Sequence, residues 1–105
     1  MVKISIQYPN TPGNQFDVDY YVNKHMPMSL HLLGDAVKAA SVEVGISGAL
    51  PDQSPPFVAQ CAFVCETAQA FYDAFMPHAE ALQGDIARYT DIEPVIQISE
   101  IKISR

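Results

Sequence analysis

Residues Phe57 to Val64, FVAQCAFV, form a nearly continuous apolar run interrupted only by Gln60. A strand with one wet face alternates apolar and polar residues; this segment does not, so it reads as an interior strand covered on both sides. A chain built around it must supply neighbours for both of its edges. Val2, Ile4, Ile6 and Tyr8 alternate with Lys3, Ser5 and Gln7, giving a strand stopped by Pro9. Val42, Val44 and Ile46 alternate with Ser41, Glu43, Gly45 and Ser47, giving another, and residues 48–56 have hairpin-loop composition. Val95 to Ile103 is the last strand. Its apolar parity shifts between Ile98 and Ile101, which predicts a bulge or a change of partner.

Two helical stretches separate these strands. Phe16 to His25 reads as a helix with Asp17 and Asp19 near its positive end. Pro27 removes a donor and disfavours helical geometry at Met26, so a kink or restart is expected there, followed by the apolar Leu30, Leu32 and Leu33 and a stop at Gly34. Thr67 is the expected N-cap of the second helix, with Phe71 and Phe75 on one face and Tyr72 beside them. Pro77 interrupts this helix as Pro27 interrupts the first.

The order β-α-β-β-α-β is the ferredoxin-like, or split βαβ, pattern of an α+β fold. Right-handed crossovers then give a four-stranded antiparallel sheet of order 4-1-3-2, with both helices on one face. At 105 residues the chain is expected to form a single domain over 1–105. The helices leave one sheet face bare. It carries either Phe57, Ala59, Cys61 and Phe63 or else Val58, Ala62 and Val64, an apolar strip that a second copy could cover across a two-fold axis. A homodimer is the expectation; the alternative is a monomer with a wet face made by Lys3, Ser5, Gln7, Glu43, Gln97 and Ser99.

Composition narrows the partners. Hydrophobic residues are 49% and charged residues 17%, which excludes a disordered chain. A net charge of −6 without a Lys/Arg cluster makes nucleic acid and acidic membrane surfaces poor partners. No apolar run approaches the length of a membrane span, and the first residues lack a signal-peptide apolar block, so a cytoplasmic location is expected. Cys61 and Cys65 share a strand, about 13 Å apart, too far for a disulfide, and read as small buried hydrophobes. With three His spread along the chain and no dinucleotide or phosphate-loop motif, no metal and no resident cofactor are expected.

The densest polar and aromatic grouping is Phe16, Asp17, Tyr20, Tyr21, Lys24 and His25. His25 falls at the expected helix end, where unpaired carbonyls favour imidazolium and a proton could be moved; the same position suits a simple helix cap. His31 is expected near the surface. His78 opens the restarted helix and reads as structural, as an acid/base partner or as a haem ligand. Tyr8 ends the first strand where loops meet and pockets open. Tyr72, with Phe71 and Phe75, is either plain core or part of a ligand box.

The core Tyr20-Tyr21-x-x-x-His25-x-Pro27-Met28 resembles the signature of EthD-like proteins, named for ethyl tert-butyl ether degradation, within the dimeric α+β barrel superfamily. The strand ending Tyr8-Pro9 and the tail Asp85 to Asp91 through Pro94 and Gln97-Ile98 also fit. The resemblance implies a ferredoxin-like subunit paired through its sheet, with a pocket between sheet and helices. It carries over Tyr20, Tyr21, His25 and Pro27. Related barrels include cofactor-free monooxygenases, polyketide cyclases, isomerases and haem-degrading enzymes; the small haem-degrading relatives use a Trp, which this chain lacks. Cyclising relatives use a Tyr and a His on the second helix, a role for which Tyr72 and His78 have the residue types.

The expected function is binding of a small, apolar, oxygenated molecule in a catabolic setting. His25 is the expected catalytic acid or base, and Tyr8, Tyr20, Tyr21, Tyr72 and His78 are the expected binding residues. A non-catalytic accessory protein or carrier for an oxidising partner is the alternative, and a haem or flavin binder a third.

Overall fold

In a computed structural model describing all of Met1–Arg105, β3 (Phe57–Cys65) lies between β1 (Val2–Pro9) and β2 (Ala39–Val44), as its apolar sequence requires. β4 (Val95–Glu100) pairs with the other edge of β1. All three pairings are antiparallel and the order is β2-β3-β1-β4, the expected 4-1-3-2 read from the other edge. Ile4 sits opposite Phe63, and Ile6 opposite Cys61 and Ile96. Alternation therefore buries Ile4, Tyr8, Ala59, Cys61, Phe63 and Cys65 on one face, beneath the helices. Burying a side chain such as Phe63 contributes about 2 kcal/mol.

The bare face is less apolar than expected. The aromatic alternates of β3 point inward, leaving Val58, Ala62 and Val64, all half-buried, with Gln60 among them. Gln7 Nε2 donates to Gln60 Oε1 at 3.0 Å, and Gln60 Nε2 lies 3.5 Å from Glu43 Oε1. Two amides and a carboxylate thus form a polar row across three strands on this face.

Two strand ends differ from their sequence expectation. β2 stops at Val44 instead of reaching Ser47. A Cβ on Gly45 would lie 2.2 Å from the Phe57 carbonyl oxygen, so the bare glycine marks where the chain crosses close to β3 and leaves the ladder; Ile46 beyond it is 93% exposed. β4 ends at Glu100, opposite Val2. Ile101 N–H still donates to the Met1 carbonyl at 3.1 Å, after which β1 offers no more backbone. The parity shift at Ile101 therefore falls past the end of pairing and makes no bulge; the register break lies at Tyr8/Pro9 against β3.

The first helical stretch is continuous through Pro27. α1 (Val18–Tyr20) starts on an N-cap, Asp17 Oδ1 accepting from Tyr20 N–H at 3.1 Å. A π-helical turn (Tyr21–His25) follows and feeds α2 (Met26–Leu33). Met26 stays helical, at φ −68 and ψ −42, contrary to the expected break. In an α-turn the Pro27 ring would strike the Asn23 carbonyl; the wider turn, with Met26 N–H donating to Tyr21 C=O, avoids that clash. Gly34, at φ +60, ends the helix. In the second stretch Thr67 Oγ1 caps α3 (Ala68–Phe75) through Ala70 N–H at 3.0 Å. Pro77 is taken up in a tight 3₁₀ turn (Met76–His78) before α4 (Ala79–Asp85).

Candidate functional site

The π turn aligns residues four apart. Tyr21 and His25 stack with ring centroids 5.9 Å apart and planes 14° apart, and both are buried. A widened helical turn of this kind recurs at functional sites because it re-aims side chains without ending the helix. His25 is consequently mid-helix: the expected end with free carbonyls is absent, and Ser29 Oγ donates to the His25 carbonyl at 2.9 Å. The negative partner of the ring is a side chain instead.

That partner is Asp85, at the end of α4. Its Oδ2 lies 2.9 Å from His25 Nδ1, and its Oδ1 accepts from the Tyr20 hydroxyl at 2.9 Å. Arg88 Nε is 3.5 Å from the same Oδ1 but largely exposed. Desolvation pushes the Asp85 carboxyl up, yet the hydrogen bonds from His25 and Tyr20 and the charges of His25 and Arg88 outweigh it and hold it below the ordinary carboxylate range. Donation to Asp85 in turn raises the Tyr20 phenol. A carboxylate accepting from Nδ1–H assigns the neutral ring its tautomer and leaves the lone pair on Nε2, which has no hydrogen-bond partner in the chain.

Tyr89 holds the cluster together. Its ring packs against Tyr8, Phe16, Tyr20, Tyr21 and His25, with the His25 centroid 4.7 Å away. Its hydroxyl shares a hydrogen bond with that of Tyr8; burial nevertheless pushes Tyr8 up to about 12. The segment carrying Tyr89 is tied to the loop before α1. Asp17 N–H donates to the Tyr89 carbonyl at 2.7 Å, and Asp91 Oδ1 accepts from Gln15 N–H at 2.9 Å and Asn14 Nδ2 at 3.1 Å. Those ties fix the distance between the Tyr21–His25 helix and the Asp85 carboxylate.

A cavity of about 310 Å³ opens between sheet and helices. Ile6, Tyr8, Cys61, Phe63 and Ile96 form its floor, and Tyr21, His25, Met26 and Leu33 one wall. Phe71, Phe75, Leu82 and Ile86 form the other wall, with Gln83 and Glu93 as further polar lining. No Lys or Arg lines it. The Tyr21 hydroxyl is fully buried and without a hydrogen-bond partner. Burial raises its pKa far above the tyrosine range, and the Cys61 thiol nearby adds to the rise. Burial pushes that thiol up to about 11, so it stays protonated and poorly nucleophilic.

Of the expected site residues, Tyr8, Tyr21 and His25 line this cavity, and Tyr20 reaches the same place through Asp85. Tyr72 and His78 do not join them. Phe71 and Phe75 face inward, one turn apart, which rotates Tyr72 outward to 45% exposure; His78 sits half-buried in the 3₁₀ turn, outside the cavity. His31 is exposed, as expected. Asp85 and Tyr89 are the site residues that periodicity missed. Their only sequence signal is membership of the Asp85–Asp91 run quoted for the family resemblance. No group of three or more His, Cys, Asp or Glu side chains converges as a metal site would require, and no helix is long and apolar enough to cross a membrane.

Comparison with known proteins places this geometry. Residues 13–93 match the model of the EthD domain. An EthD-like protein from Ralstonia eutropha JMP134 is 46% identical over 99% of this chain and 94% of its own, with a TM-score of 0.94. An ethyl tert-butyl ether degradation family protein from Bacillus halodurans C-125 shares the fold at 17% identity and a TM-score of 0.74, over 96% of this chain and 98% of its own. HapK from Hahella chejuensis shares it more distantly, at 15% identity and a TM-score of 0.57, over 100% of this chain and 97% of its own. No curated protein matches the chain.

Proposed function

The chain belongs to the EthD family, and we propose that it binds a small, apolar, oxygen-bearing molecule in the cavity beneath its helices, where His25 exchanges a proton with it. One observation carries the reading: an imidazole at the cavity wall whose Nδ1 is held by Asp85 at 2.9 Å and whose Nε2 is unpaired. A carboxylate accepting from Nδ1–H fixes the tautomer in which Nε2 is the atom free to accept a proton. The cavity suits a molecule of roughly two fused rings, since about 150 Å³ holds a benzene. Tyr8 and Tyr21 are the residues that meet it, and Tyr20 positions Asp85.

The working form is a homodimer. The bare sheet face carries half-buried Val58, Ala62 and Val64 beside amides that a facing copy can pair with across a two-fold axis. Light scattering at micromolar concentration is expected to give twice the chain mass; a folded monomer overturns this part of the reading.

The chemical part is tested by screening neutral aromatic and alicyclic ketones by thermal shift and following hits in heavy water for deuterium uptake beside the carbonyl. His25→Ala is expected to abolish uptake or to weaken binding more than tenfold, about 1.4 kcal/mol. Uptake at the wild-type rate in that variant rejects the role. Binding without uptake in the wild-type protein favours a carrier.

A further inference from the structure

A buried hydroxyl with no partner in its own chain destabilises a fold, so a chain that keeps one in a cavity wall points to a ligand that can pair with it. The Tyr21 hydroxyl is such a group: 0% exposed, unpaired and at the cavity lining. The Cys61 thiol lies beside it and acts on it both by charge and as a weak hydrogen-bonding neighbour, but no contact of good hydrogen-bond geometry joins the two, and a thiol is a weak partner. The Tyr21 ring stacks on His25, so the wall residue that carries the unpaired hydroxyl lies directly against the one that carries the Nε2 lone pair.

We infer that Tyr21 anchors the ligand by donating its hydroxyl proton to an uncharged carbonyl oxygen, and that the ligand is a neutral bicyclic ketone or aldehyde. This rests on the cavity reading above and names its substrate class. Three features select that class. A hydrocarbon would leave the Tyr21 hydroxyl buried and unpaired. A carboxylate or phosphate would enter a lining with no Lys or Arg, beside Glu93 and with Asp85 behind His25, in a chain of net charge −6. A carbonyl satisfies the donor without bringing charge, and the apolar walls, including the parallel rings of Phe71 and Phe75, cover the rest.

The same pairing sets the step His25 would carry out. Nε2 takes a proton from the carbon next to the carbonyl; the C–H electron pair becomes the new C=C bond. The carbonyl π pair moves onto oxygen, where the Tyr21 O–H holds the enolate by hydrogen bond. Returning the proton, or a solvent deuteron, from Nε2 to carbon restores the neutral ketone, so the exchange balances without oxidant or cofactor.

The test uses three probes of one shape: 1-tetralone, the hydrocarbon tetralin, and tetrahydro-1-naphthoate. Calorimetry on the wild-type protein is expected to show the ketone binding at least tenfold tighter than the other two. Tyr21→Phe should lower ketone affinity about tenfold, leave tetralin within about twofold, and melt no lower than wild type, because it removes an unpaired hydroxyl. The infrared carbonyl stretch of ¹³C-labelled tetralone should shift down on binding wild-type protein and not on binding the variant. Equal binding of ketone and hydrocarbon, tightest binding of the carboxylate, or unchanged ketone affinity in Tyr21→Phe each overturns the inference. Deuterium uptake separates it from the parent reading. Loss of affinity in Tyr21→Phe with no uptake by wild type leaves Tyr21 as anchor and removes proton transfer; uptake with unchanged affinity in the variant does the reverse.

Discussion

Met-Pro occurs twice in this chain, once in each helical stretch, and the two copies have opposite outcomes. At Met26-Pro27 the helix widens into a π turn and continues, with Met26 4% exposed. At Met76-Pro77 it tightens into a 3₁₀ turn and restarts at His78, whose φ −117 and ψ 8 are no longer helical, and Met76 is 64% exposed. The covalent constraint is the same: a missing N–H and a ring that collides with the carbonyl four residues back. What differs is the surroundings. Around the first, Tyr21, His25 and Met26 are buried in the cavity wall, so the strain is absorbed in backbone width while the side chains hold their places. Around the second, Met76 and Pro77 are themselves exposed, so the chain can turn there while Phe71 and Phe75 before it and Leu82 after it still face the cavity. A proline break becomes part of a site only where packing prevents the chain from simply turning away.

Substitutions at the paired positions can break that contrast. Met26→Ala should cost about 2–5 kcal/mol of stability and Met76→Ala no more than about 0.5 kcal/mol, read from urea midpoints; equal losses would show the two breaks to be equivalent. Pro27→Ala restores an N–H and lets the π turn relax to an α-turn, moving His25 relative to Asp85. It should weaken ketone binding or deuterium uptake at least tenfold, about 1.4 kcal/mol, whereas Pro77→Ala should stay within about twofold. In the second stretch, Gly84 has open space where a Cβ would go, so Gly84→Ala should raise stability by about 0.5–1 kcal/mol, seen as a higher melting temperature with ligand binding unchanged.

The smallest effect is that of pH on the link between the stretches. The folded pKa of Asp85 lies below its ordinary value of 3.8, so the unfolded chain takes up the proton first as pH falls. The stability it contributes is complete above the ordinary carboxylate range and is lost as pH drops through the lower, folded value. Melting temperatures below pH 5 should therefore fall less steeply in Asp85→Asn than in wild type. Parallel profiles would show that the carboxylate is not held by His25 and Tyr20.

Strand identity was legible from alternation, and the central place of β3 from its lack of alternation. Strand ends were not, because they depend on neighbours: β4 ends where β1 runs out of backbone, and β2 where Gly45 meets the Phe57 carbonyl. Half of the candidate site was legible too. Tyr21 and His25 stand four apart in a helical stretch, close enough in sequence for spacing to set their geometry. Asp85 lies 60 residues from His25 and Tyr89 81 from Tyr8, and no periodicity links positions so far apart. Tyr72, next to the cavity residue Phe71 in sequence, faces solvent because one residue of helix turns a side chain by about 100°.

The amino-acid order alone therefore determined which segments become strands and helices, how they follow one another, and where proline would disturb them, since those depend on neighbours a few bonds away. Packing decided which face of the sheet lies under the helices, that Pro27 would be absorbed rather than break the chain, and that a carboxylate from the second helical stretch would meet the imidazole of the first. Such contacts close only when distant segments are brought together, and burial of one apolar face is the force that does so.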